Sequence, residues 1–90
     1  MNFEGKEFTA YSIPTNNTFV LIIGAENGFL GCGYLNVEVA NKVCDVCAIV
    51  TGVKTPDDML DAKVIAVSEA AAKLGVTEGM TGKDALLLMS

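Results

Sequence analysis

From Glu7 to Ile13 apolar and polar residues alternate loosely, with Phe8, Ala10 and Ser12 opposite Thr9, Tyr11 and Ile13, and Pro14 closes the run. That period predicts a first strand. Thr15, Asn16 and Asn17 read as a turn. Thr18 to Ala25 is then rich in β-branched and aromatic residues, too short and too evenly apolar for an amphipathic helix, which predicts a buried strand. Asn27-Gly28 suits the two left-handed positions of a tight hairpin turn, so Phe29 to Leu35 is expected to return antiparallel.

Asn36 caps a short helix through about Val43, whose Val37, Ala40 and Val43 share one face. Val46 to Thr51 reads as a second buried strand ended by Gly52. Thr55-Pro56-Asp57-Asp58 opens a helix to about Asp61, because Thr caps, Pro suits the first helical position and carboxylates favour the positive end of the dipole. Ala62 to Val67 fits a strand or a helical face, and the strand is preferred. Ser68 then caps a helix to Leu74, Gly75 stops it, and Thr81 caps a last helix from Lys83 to Met89. The pattern predicts one α+β domain over residues 1–90: an antiparallel β-sheet, made of an N-terminal hairpin plus central strands, with short helices and a helical C-terminal part.

Composition adds a surplus. Counting Gly and leaving out Tyr, about 59% of the chain is apolar, against roughly 45–50% in ordinary soluble domains. The longest apolar run, Phe19 to Ala25, is far shorter than the roughly 20 residues a spanning helix needs, so no membrane partner is expected. Glu4, Lys6 and Glu7 break up any N-terminal export signal. The outlet that remains is another copy of the same chain. The net charge of −5 and the absence of Arg argue against nucleic acid. With no His, Ser-His-Asp and Cys-His catalysis and His-ligated metals are excluded. Three cysteines, an odd number, point to a reducing, cytoplasmic setting without structural disulfides.

Three stretches, FLGCGYLNVEVANK, AIVTGVKTPDDMLDAKV and GVTEGMTGKDALLLM, resemble the YunC-like family of small bacterial and archaeal domains of unknown function. The likeness spans roughly residues 19–90, through Cys32-Gly33-Tyr34-Leu35, Gly52-Val53-Lys54-Thr55 with Asp58-Met59-Leu60, and Gly79-Met80. It implies an α+β fold whose N-terminal β region mediates tetramerisation, and it implies no activity. The chain departs from the family where a Gly-Asp turn is usual and Cys44-Asp45 stands instead.

Cys44 and Cys47 are expected as core residues and not as a redox pair or a metal site, because three positions along a strand place two side chains on opposite faces. Cys32, flanked by Gly31 and Gly33, is the better chemical candidate, although no His is at hand to activate it. Lys54, Thr55 and Asp58 are candidate ligand-binding residues at a helix start, where capping alone also explains them. Asp57, Asp58 and Asp61 read as a solvated helix face, and neither a metal nor a cofactor is expected. Two functional readings follow: a non-catalytic, self-associating tetrameric domain, or an enzyme or small-ligand-binding protein with an intersubunit site around Cys32, Lys54 and Asp58.

Overall fold

The computed structural model describes residues 1–90. In chain order they form β1 (Asn2–Phe3), β2 (Lys6–Glu7), β3 (Thr9–Pro14), β4 (Phe19–Ala25), β5 (Gly28–Gly31), α1 (Val37–Val43), β6 (Cys47–Val50), α2 (Pro56–Asp61), β7 (Val64–Val67), α3 (Glu69–Lys73) and α4 (Gly82–Met89). The main sheet runs β3-β4-β5-β6-β7, and β1 and β2 form a separate hairpin. The fold is α+β, with one antiparallel and one mixed sheet.

All four helix starts predicted from capping residues form as expected. Asn36, Thr55, Ser68 and Thr81 each accept a backbone N–H of the first turn through the side chain. Residues 64–67 are a strand, and Gly75, at φ +95°, ends the helix before it.

Three expectations about the strands need correction. The loop between β4 and β5 is Glu26-Asn27, since Ala25 pairs with Gly28, and neither loop residue has positive φ. Gly28 is there for space: a Cβ would lie 2.6 Å from Val46 Cγ1 and 2.8 Å from the Met89 sulfur. The return strand stops at Gly31, four residues early, because Leu35 donates its N–H to the Cys32 carbonyl and turns the chain. The central strands are also not all antiparallel. Phe29, Leu30 and Gly31 pair in parallel with Cys47, Ala48 and Ile49, because α1 is a crossover between them. The β1–β2 hairpin was not foreseen. Glu4 and Gly5 turn it through positive φ values of 53° and 72°, and Phe3 stacks on Phe8 with ring centroids 4.3 Å apart.

The two faces of the main sheet differ. On one, Leu21, Ile23, Leu30, Ala48, Val50 and Val64 meet Met59 of α2, Ala71 of α3 and Ala85, Leu86 and Met89 of α4. Gly82 opens α4 so close to α2 that a Cβ would overlap the Met59 carbonyl oxygen. On the other face only α1 is laid down, burying Ala40 against Cys47 and Ile49 with Phe29, Val37 and Ala66 around them. The β3–β4 end of that face has no cover. Register and strand alternation place Tyr11, Ile13, Val20 and Ile22 there together, with Tyr11 51% and Ile13 55% exposed.

The sheet edges differ as well. At β7, Val64 donates its N–H to Met80 and accepts that of Gly79, so the loop before α4 occupies that edge. At β3, Thr15 donates to the Thr18 carbonyl at 2.8 Å, while Phe8 and Met1 bond to each other at 2.8 Å in both directions. Hydrogen-bonded pairs alternate along an antiparallel ladder. Thr9, Tyr11 and Ile13 therefore bond inward to β4, and Ala10 and Ser12 turn their N–H and C=O groups outward.

Candidate functional site

Cys32 lies just past the end of β5. Its N–H donates to the Leu21 carbonyl at 3.0 Å, and its sulfur accepts the Leu21 N–H at 3.3 Å. The side chain is 5% exposed, part of the main core, and it forms one wall of an open cleft of about 300 Å³. The rest of the cleft comes from Thr18 and Phe19 at the start of β4, Gly33 and Tyr34 after Cys32, and Thr51, Gly52 and Val53 after β6. No carboxylate or amine lines it. The thiol has neutral neighbours, and the cleft offers no base to activate it.

Lys54, Thr55 and Asp58 are spent on starting α2. The Thr55 hydroxyl accepts the Asp58 N–H at 3.2 Å, and the Asp58 carboxylate accepts the Lys54 N–H at 3.1 Å. This is a capping box in which the carboxylate reaches back one residue beyond the usual partner. Asp58 also borders a second groove with Asp61 and Lys63, on the other side of Thr51–Val53. Lys54 lines neither groove. Within one chain, Cys32 and Asp58 thus face different depressions that share a wall, and the three sequence candidates do not converge. Thr51, Gly52 and Tyr34 were not among the site candidates read from the sequence, although Tyr34 and Gly52 stand in the motifs that carry the family resemblance. The signal for them is a glycine-containing turn directly after each of two neighbouring strands, legible only once those strands are known to be adjacent and parallel.

The two remaining cysteines part company. Cys47 is buried under α1, where desolvation first and the charge of Asp45 second push its thiol up from 9.0 to about 11. Cys44, expected in the core, is exposed. It is not in a strand at all: it caps the C-terminus of α1 in the left-handed conformation, φ 62° and ψ 32°, with its N–H on the last carbonyls of the helix. Glycine takes that conformation without steric cost, whereas a cysteine there does not.

Comparison with known proteins agrees with this architecture. A family model described as a domain of unknown function, DUF1805, matches residues 31–89. The chain is 37% identical over 90 residues to the Bacillus subtilis protein described as uncharacterized protein YunC, covering 96% of this chain and 89% of that one. It is also similar to the crystal structure of a protein of unknown function from Thermoplasma acidophilum, with a TM-score of 0.79, 34% identity and full coverage of both chains.

Proposed function

The chain belongs to the DUF1805 family of domains of unknown function, and from the geometry of its N-terminal strands we propose that it serves as a non-catalytic, self-associating domain that assembles as a tetramer. The observation that carries this reading is the apolar group of Tyr11, Ile13, Val20 and Ile22 at the β3–β4 end of a sheet face that no helix covers. Apolar side chains grouped on one open face are stabilised by a partner that removes them from water.

A second surface lies at right angles to the first. The free N–H and C=O groups of Ala10 and Ser12 on the β3 edge match the same groups of another copy running antiparallel, so the sheet extends across a two-fold axis. Phe8, already bonded to Met1, limits the open edge at one end, and Pro14, which has no N–H, limits it at the other. Face-to-face packing of two such pairs closes a tetramer. Charge is confined to one end of the face, where Glu7 and Glu26 border Tyr11, and Ile13, Val20 and Ile22 themselves offer only apolar side chains for contact between copies that each carry −5. That charge and the absence of Arg disfavour nucleic acid as the partner, and the three free thiols favour a reducing, cytoplasmic setting.

Sedimentation equilibrium at micromolar concentration tests the reading. The expected mass is four times the 9.4 kDa of one chain; a particle of single-chain mass refutes it.

A further inference from the structure

β5 and β6 are neighbours and parallel, and the chain leaves their carboxyl ends in opposite directions. After β5 it passes through Cys32–Asn36 into α1, which packs on the thinly covered face with Cys47 and Ile49. After β6 it passes through Thr51–Thr55 into α2, whose Met59 is buried on the other face. Two exits diverging from adjacent parallel strands leave a crevice between them, the topological switch point at which open α/β sheets hold their ligands. The cleft beside Cys32 lies at that point, with Gly33 and Tyr34 from one exit and Thr51, Gly52 and Val53 from the other.

Hydrogen bonding adds an independent observation. Around the crevice the N–H of Cys32 donates to Leu21, that of Leu35 to Cys32 and that of Lys54 to Asp58. The N–H groups of Gly33, Tyr34, Gly52 and Val53 donate to no acceptor in the chain. Gly33, Tyr34 and Gly52 are exposed and Val53 is half-buried, so water meets these donors in the free chain, and two consecutive pairs of them lining one cleft are open to a ligand rich in acceptors. The hydroxyls of Thr18, Thr51 and Tyr34 add donors, and no carboxylate in the lining opposes a negative charge. A multiply charged anion is disfavoured by the absence of Arg and by the chain's own −5. Phe19, Val53 and the Cys32 side chain supply apolar wall. We propose that this crevice binds a small monocarboxylate, its oxygens held by the Gly33–Tyr34 and Gly52–Val53 turns and its short aliphatic body set against Phe19 and Val53. The volume of about 300 Å³ lies at the small end of ligand sites and has ample room for a short-chain carboxylate.

Amide NMR on the assembled protein, titrated with sodium isobutyrate and in parallel with isobutyramide, tests this. Shifts should saturate and centre on Gly33, Tyr34, Gly52 and Val53, with a Kd of about 1 mM and at least about tenfold weaker binding of the amide. Thr18→Trp, a change at an exposed position on the rim, should abolish the saturating shifts while leaving the rest of the spectrum in place. Shifts that stay linear in concentration, that centre on lysine-bearing segments, that are equal for acid and amide, or that persist in Thr18→Trp would each overturn the proposal. The crevice lies within one chain, so its test does not depend on the tetramer.

Discussion

The hydroxyl oxygen of Ser68 accepts the backbone N–H of Cys47 at 2.9 Å, joining the start of β6 to a residue 21 positions later. The same hydroxyl donates to the Asp45 carbonyl at 2.9 Å and accepts the N–H of Ala71 at 3.2 Å, so one fully buried side chain starts β6 and caps α3. Ser68→Ala leaves a buried N–H and a carbonyl without partners and removes the cap. The expected loss is about 2–4 kcal/mol, from about 1 for the cap and about 1–3 for the orphaned groups, read as a lowered midpoint in urea with an unchanged m-value.

Cys47 makes stability depend on pH at the alkaline end. Its thiol is held neutral in the fold, with a pKa raised from 9.0 to about 11, chiefly by burial. A raised pKa contributes stability that is complete below the unfolded value and is lost as pH climbs through the folded one. From about pH 9 to about pH 11 this group should therefore withdraw about 2–3 kcal/mol. Cys47→Ala should reduce the slope of unfolding free energy over that window, after the common titration of Lys and Tyr is subtracted by comparing the two proteins. Equal slopes for both would contradict the assignment.

Cys44 should be the fastest of the three thiols to react with a maleimide, because it alone is exposed. Cys32, at the wall of the cleft, should follow, and Cys47 should come last. Peptide mapping after timed labelling reads the order. Cys44→Gly should leave the fold intact and stabilise it by about 0.5–1 kcal/mol, since glycine adopts φ 62° without steric cost.

Proline substitution in β3 separates assembly from folding. Ser12 directs its N–H away from β4, so Ser12→Pro should preserve the monomer fold and remove the edge contact, converting tetramers to dimers. Tyr11 directs its N–H inward, and Tyr11→Pro should destabilise the fold itself. Ile13→Lys, on the uncovered face, should block face-to-face packing while sparing the edge. Sedimentation combined with circular dichroism distinguishes the three. An unchanged tetramer in both Ser12→Pro and Ile13→Lys would locate the interface elsewhere.

Local chemistry determined much of this protein from its sequence. The four capping residues, Asn36, Thr55, Ser68 and Thr81, and the stop at Gly75 were legible because each bonds or bends within a few residues of itself. The strands at 19–25 and 47–50 were legible from their short length and their β-branched and aromatic content; β6 is buried throughout as expected, whereas β4 buries only Leu21 and Ile23 on one face. Tertiary structure alone decided the rest. Whether β6 lies parallel or antiparallel to β5 depends on the path of α1, and that decision creates the crevice between Gly33 and Gly52. The fates of the cysteines followed packing and not spacing: α1 ends in a left-handed turn at Cys44 and lies over Cys47. Thr55 and Asp58 were readable both as a cap and as a ligand site until the hydrogen bonds were seen, since the same oxygens serve either purpose. Contacts between residues distant in the chain carry no local signature, so they become visible only when the elements are assembled.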